Sequence, residues 1–367
     1  MDQLTRRHFI RTTARGIAAL TCTNAWSAPT QKSVLVLGGT GFLGPAFVNA
    51  ALAAGYAVTL FNRGISAPGL FPNLSRIRGL RSVDPKQQDL SGLSGKRWDV
   101  IVDVWPHEPE LAASAATVLK EACDHYVYVS SVAAYDGYPK PEITEDYSLR
   151  PWVPGTDEYE SGKAESERRL QALLGNKLTV VRPGPIKGER DGGPDVVTWL
   201  FRARSEGQHI GPGDGIDPVQ FVDVKDVASF MNTVLQRRLL GAYNLTGQAM
   251  SFRSFLEKCK QVTRSRAEFL WVPHDFLSRN GLKSDHELGT YAGNFPFWRP
   301  EPKITNIFRV SSSKAYHAGW QPRPFSETAL DCLSTFHASG STPPTWKDFM
   351  SPALEREVLE KWMKVRS

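Results

Sequence analysis

The chain of 367 residues is 41% hydrophobic and 22% charged, an ordinary globular balance long enough for one large core or two modest ones. Its formal charge is +6, but Arg6, Arg7, Arg11 and Arg15 against Asp2 in the first 27 residues account for three of those charges. The rest is too weakly basic for a nucleic-acid footprint, and no apolar run is long enough to span a bilayer.

The first element is a targeting segment. Thr5-Arg6-Arg7-His8-Phe9-Ile10-Arg11 resembles a twin-arginine export signal, Gly16 to Cys22 is weakly apolar, and Ala25-Trp26-Ser27 offers small residues for cleavage near Ser27. The resemblance implies a periplasmic protein exported folded, with its signal 1–27 removed and no stable membrane insertion. A basic disordered tail is the bland alternative. Cys22 fits a lipid anchor poorly. The remaining Cys123, Cys259 and Cys332 are odd in number and far apart, so they read as small buried hydrophobes, not a disulfide framework. Three histidine–acid neighbours lack a second histidine at ligand spacing, and no metal site is expected.

Val34-Leu35-Val36-Leu37 reads as a strand buried on both faces, Ala46 to Ala54 as a helix ended by Gly55, and Ala57 to Phe61 as a second buried strand. Between the first strand and the helix lies Gly38-Gly39-Thr40-Gly41-Phe42-Leu43-Gly44. Glycines at such a junction let a pyrophosphate approach the backbone, and the helix N-terminus behind them offers unpaired N–H groups. The spacing is G-x-x-G-x-x-G (Gly38, Gly41, Gly44). It resembles the fingerprint of the extended short-chain dehydrogenase/reductases, the NAD-dependent epimerase/dehydratase family. The resemblance implies that Gly38, Thr40, Gly41, Phe42, Leu43 and Gly44 bind a dinucleotide.

The second strand runs into Asn62-Arg63, where NAD-preferring members carry an acid that accepts from the ribose hydroxyl. An amide removes repulsion toward a 2′-phosphate, and a guanidinium can grip one, so NADP is favoured over NAD. Asp89-Leu90 matches the family's adenine-contacting pair. The fourth strand, Asp99 to Val104, departs from the small residues usual in the family, and Asp103, Trp105 and Pro106 imply a differently shaped pocket.

Leu111 to Cys123 reads as a helix and Tyr126 to Ser131 as a strand ending in hydroxyls. Ser131, four residues before Tyr135, matches the family's catalytic hydroxyl. Tyr159 and Lys163 form Y-x-x-x-K at the start of an amphipathic helix reaching Leu174. Residues four apart share a helix face, so the Lys163 ammonium can favour the Tyr159 phenolate. Tyr159 is expected to exchange a proton with the substrate oxygen, Ser131 to orient that oxygen, and Lys163 also to hold the nicotinamide ribose. Dehydratases of the family add acids beside the serine. Val132 and Ala133 stand there instead, which disfavours dehydration.

Lys177 to Pro183 resembles the sixth strand, with Pro183 at the cofactor. Val196 to Arg204 reads as a helix, Gly211 to Gly215 as a turn, and Gln220 to Ala228 and Tyr243 to Gly247 as segments returning to the core. Phe252 to Thr263 is a helix and Leu270 to Pro273 a strand of the smaller lobe. Trp298, in the aromatic loop Gly293 to Pro302, suits packing more than substrate stacking. Ser311 to Trp320 resembles a late family helix, and Pro352 to Val365 is amphipathic.

The expected fold is α/β: a doubly wound, Rossmann-type parallel sheet with a smaller α/β C-terminal substrate lobe. Its expected parts are a dinucleotide-binding core over 32–183, a substrate lobe over 184–330 with core segments interleaved at about 218–247, and a C-terminal extension over 331–367. The expected activity is NAD(P)-dependent oxidation, reduction or epimerisation of a small molecule, with no nucleic-acid partner and a possible homodimer. The alternative is a catalytically silent binding protein, for RNA or as a dinucleotide sensor.

Overall fold

The computed structural model describes residues 31–104, 107–155, 158–284, 294–300, 306–339 and 350–366. The signal-like segment 1–27 and the pair Trp105-Pro106 lie outside the described residues. The first half of the chain runs β1 (Ser33–Leu37), α1 (Leu43–Ala53), β2 (Ala57–Asn62), β3 (Ser75–Arg78), β4 (Trp98–Asp103), α2 (Pro109–Leu119), β5 (Cys123–Val129), α3 (Tyr159–Leu174) and β6 (Leu178–Pro183). There follow β7 (Ile186–Lys187), α4 (Asp195–Arg204), β8 (Gln208–Pro212), β9 (Pro218–Val219), β10 (Val222–Asp223), α5 (Val224–Arg237) and β11 (Gly241–Leu245). The chain closes with β12 (Met250–Ser251), α6 (Phe252–Thr263), β13 (Glu268–Val272), α7 (His274–Arg279), α8 (Ser313–His317), α9 (Phe325–Ala338) and α10 (Pro352–Arg366).

Seven of these strands form one sheet in the order β11-β6-β5-β4-β1-β2-β3, with every neighbouring pair parallel. Alternate residues of a strand point to opposite faces. Val34 and Val36 therefore join Phe47 of α1 and Phe230 of α5 in one core, while Leu35 and Leu37 join Ala115 of α2 and Leu170 of α3 in another. Both faces are covered, which explains why the strands are almost uninterrupted apolar runs. This is the doubly wound, Rossmann-type fold. The strand order reverses between β1 and β4, and in such sheets ligands bind beyond the carboxyl ends at that reversal.

A separate aromatic core holds the smaller lobe, from Trp199 of α4 and Phe252 and Phe255 of α6 to Phe295, Trp298 and Leu359. Trp298 is fully buried there and its indole N–H donates to Asp217 Oδ2 at 2.8 Å, so it packs and does not stack on a ligand. The boundary expected at 330/331 cuts through α9, and α10 completes this core. Its Glu355 accepts from Ile210 N at 2.7 Å and from the Arg202 guanidinium. Burial opposes ionisation of Glu355, but Arg202, His209 and the Ile210 N–H hold its pKa at about 2. α9 and α10 are thus integral to the lobe.

Two element bounds differ from expectation. α2 stops at Leu119, because Cys123 pairs with Trp98 and opens β5. The late helix shrinks to Ser313–His317, and Ala315, Ala318 and Trp320 pack into the first core beside α5. In the stretch 218–247, β11 extends the sheet beside β6 and α5 packs on α1.

Candidate active site

The β1–α1 turn forms one end of a cleft of about 1510 Å³, larger than the roughly 300–1,000 Å³ typical of a single drug-sized ligand. Gly38 adopts φ +108°, and its N–H donates to Phe61 O at 2.9 Å. A Cβ on Gly44 would stand 2.5 Å from Gly39 Cα, so that glycine is demanded by packing. Gly41 differs. A Cβ there would meet nothing within 4 Å, yet Gly41 lines the cleft. Fold packing does not require a bare backbone at Gly41, whereas a phosphate approaching the turn does. Behind it α1 begins at Leu43 with no side chain capping its N-terminus and no acid in its first turn. The residues present fit a dinucleotide. We expect Gly41→Val to weaken dinucleotide binding by roughly tenfold or more with an unchanged denaturation midpoint. Undiminished affinity in a calorimetric titration would remove this turn from the site.

Gly38, Thr40, Gly41, Phe42, Leu43, Gly44, Asn62, Arg63, Lys163 and Pro183 all line this cleft. Asn62 plays another part than expected. Its Nδ2 donates to Gly38 O at 3.0 Å and its Oδ1 accepts from Gly64 N at 2.9 Å. The amide clamps the two backbone turns together, a task a carboxylate cannot perform because it has no N–H to donate. Exposed Arg63 is left facing the cleft.

Asp89 and Leu90 do not line the cleft. Asp89 accepts from Ser91 N at 3.1 Å and Ser91 Oγ at 2.7 Å, and Leu90 is buried in the core against α2. Backbone pairing of Leu80 with Asp89 turns Gly79, Leu80 and Arg81 toward the cleft in their place. Arg81 then donates two 2.8 Å bonds to Asp103, which is fully buried and also accepts from Tyr126 Oη at 3.0 Å. Asp103, the sequence departure on β4, is the partner of this arginine.

The proposed catalytic residues meet at the other side of the β1/β4 reversal. Ser131 ends the stretch after β5, where its Oγ accepts from Ala133 N at 3.1 Å and keeps its own proton to donate. Tyr159, the first residue of α3, is 45% exposed and lines the cleft with Ser131. Lys163 lies 3% exposed beneath it, with Nζ donating to Val129 O at 2.7 Å and standing 5.8 Å from the Tyr159 ring centre and 4.9 Å from that of Tyr128. Burial pushes the Lys163 pKa down to about 8, a fall limited by Asp103, Glu167 and Glu108. Gly162 makes this placement possible: a Cβ there would sit 2.5 Å from His107 O, so only glycine lets α3 approach the backbone just before α2.

A buried network ties these elements together. Arg182 on β6 donates to both carboxylate oxygens of Glu167 on α3 and to Tyr135 Oη at 2.8 Å, and Tyr135 donates to Asn244 Oδ1 on β11 at 2.7 Å. The cleft wall also carries Tyr138, Tyr147, Arg150, Arg299 and Ile307. None of these was legible as a site residue, because no local motif marks them.

Comparison with known proteins shows what the chain resembles. The chain is 30% identical over 252 residues to the chloroplast stem-loop binding protein of 41 kDa b from Arabidopsis thaliana; the match covers 64% of this chain and spans 64% of that relative's length. It is 27% identical over 293 residues to a decarboxylating sterol-4-alpha-carboxylate 3-dehydrogenase from Bos taurus, covering 74% of each. Among solved structures, the UDP-glucose 4-epimerase of Thermus thermophilus in complex with NAD shares the fold, with a TM-score of 0.56 and 21% identity over 84% of this chain and 99% of that one. Residues 96–245, which carry Ser131, Tyr159 and Lys163, match the model of the NAD dependent epimerase/dehydratase family.

Proposed function

We propose that this chain is an NAD(P)-dependent oxidoreductase or epimerase that moves hydride at a carbinol or carbonyl carbon of a small molecule. The observation that carries this is the convergence of Ser131, Tyr159 and buried Lys163 on the same cleft as the glycine turn. A bound nicotinamide supplies or accepts the hydride. Ser131 Oγ–H fixes the substrate oxygen, and Tyr159 Oη exchanges a proton with it. Lys163, held from below by Val129 O, presents positive charge toward the phenol and favours its ionised form. The dehydrogenase relative supports net oxidation and the epimerase structure supports the fold that allows it.

NADP is the favoured cofactor. Arg63 faces the cleft and, with Asn62 engaged by backbone, no carboxylate at the end of β2 opposes a 2′-phosphate. Mass spectrometry of ligand released from the denatured full-length chain, with titration of both dinucleotides, tests the proposal. We expect NADP to bind more tightly, and Arg63→Glu to reverse the preference by roughly tenfold or more. NAD preference in the unaltered chain would sink the cofactor assignment, and failure to bind either dinucleotide would sink the enzyme.

Similarity to the stem-loop binding protein favours one other reading, RNA binding without turnover. RNA affinity that falls steeply with salt, in a chain that binds no dinucleotide, would carry it.

A further inference from the structure

The segment between Ser131 and Tyr159 places one arginine, Arg150, on the cleft. Arg150 is half-buried on the cleft wall, and its Nε is buried with no hydrogen-bond partner. Among the described residues, its guanidinium makes no hydrogen bond and no ion pair. Arg81, Arg202 and Arg323 also leave Nε unmade, but their terminal nitrogens are engaged: Arg81 by Asp103, Arg202 by Glu355, Arg323 by Asp223 and Asp331. Nε is withdrawn from water without an acceptor, which costs free energy, while the terminal nitrogens of this half-buried side chain remain open to the cleft for a ligand.

Arg150 is also rigidly presented. Its N–H donates to Ala134 O at 2.9 Å, its carbonyl accepts from the Arg168 guanidinium, and Leu149 beside it bridges to Tyr135. That brace belongs to the same turn that carries Ser131. A second guanidinium, Arg299, reaches this wall from the smaller lobe, and both act electrostatically on the phenol of Tyr138. Asp136 and Glu160 also line the cleft, but neither forms an ion pair with Arg150. The acceptor therefore comes from outside the described residues.

We infer that the substrate is an oxyanion-bearing carbinol or carbonyl compound, its carboxylate or phosphate held by Arg150 while its reacting oxygen lies between Ser131 and Tyr159. This rests on the hydride-transfer reading above and adds the substrate class. The fork of an arginine suits either anion through two parallel hydrogen bonds, so the two sources are separated by experiment.

The full-length chain, saturated with its preferred dinucleotide, is titrated by calorimetry with 3-hydroxybutyrate, glycerol 3-phosphate and the neutral butane-1,3-diol. We expect one anion to bind roughly tenfold or more tighter than the diol, and its identity names the group. Arg150→Met is expected to erase that preference, and Arg150→Lys to retain part of it, both with unchanged dinucleotide affinity, which also reports that the variants are folded. Equal affinity for diol and anions, binding of neither anion at millimolar concentration, or an Arg150→Met variant that keeps the preference overturns the inference while leaving the enzyme reading intact. A chain that binds no dinucleotide overturns both.

Discussion

Tyr159→Phe should lower hydride transfer by about 10²- to 10⁴-fold, the range of a lost general acid/base, with dinucleotide affinity and denaturation midpoint unchanged. The ring stays and only the oxygen goes, from a side chain that is nearly half exposed. Lys163→Met should lose activity on a similar scale for a different reason, since it removes the charge that favours the phenolate. Its stability should move the other way. Lys163 is buried and titrates at about 8, below its ordinary 10.5. Between those values the folded chain holds fewer protons than the unfolded one, so this lysine adds stability as pH rises through that window and subtracts it at pH 7. At about 1.4 kcal/mol per pH unit, the cost relieved at pH 7 is of order 3 kcal/mol. It is set against roughly 1–3 kcal/mol for leaving Val129 O without its donor. The apoprotein of Lys163→Met should therefore be no less stable than the unaltered chain at pH 7, and should lack its gain in stability between pH 8 and 10. A variant that unfolds, or one that still turns over, would falsify the role given to Lys163.

Arg182→Met should destabilise the fold by about 3–5 kcal/mol, the cost of leaving one member of a buried ion pair uncompensated. Here the abandoned group is Glu167, buried on the helix that carries Tyr159 and Lys163. Burial works against the Arg182 charge, but Glu167 and Tyr135 outweigh it and hold its pKa above the ordinary arginine value. The same guanidinium reaches Tyr135 on the serine turn, so the loss should loosen both sides of the site. Replacing Glu167 and Arg182 together by methionine should recover most of the stability, because two well-packed apolar groups leave no orphan charge. Urea denaturation of the two single variants and the double variant decides it. If the double variant is as unstable as Arg182→Met, the pair is not the source of the loss.

Much of the fold was legible because its evidence is local. Val34 to Leu37, the glycine turn and the apolar run of α1 succeed one another within a single βαβ unit, and each carries its own periodicity. The Tyr159/Lys163 pair was legible for the same reason, as a four-residue helical repeat. α10 was readable as an amphipathic helix, but nothing in its residues said that Glu355 would dock on Arg202 and make it part of the smaller core. Asp89 misled because two residues of a motif cannot show that a backbone pairing turns them away from the cleft.

The amino-acid sequence alone determined the doubly wound sheet and its glycine turn, and singled out Ser131, Tyr159 and Lys163 as the proposed catalytic set, since backbone propensity and short repeats are written in neighbouring residues. The tertiary structure alone decided that Asn62 clamps two turns, that Asp103 belongs to Arg81 and that Arg150 faces the cleft with no side-chain partner among the described residues. Each of these depends on side chains from segments far apart in the chain, and the burial that makes an ion pair obligatory, or its absence conspicuous, exists only after the chain has folded.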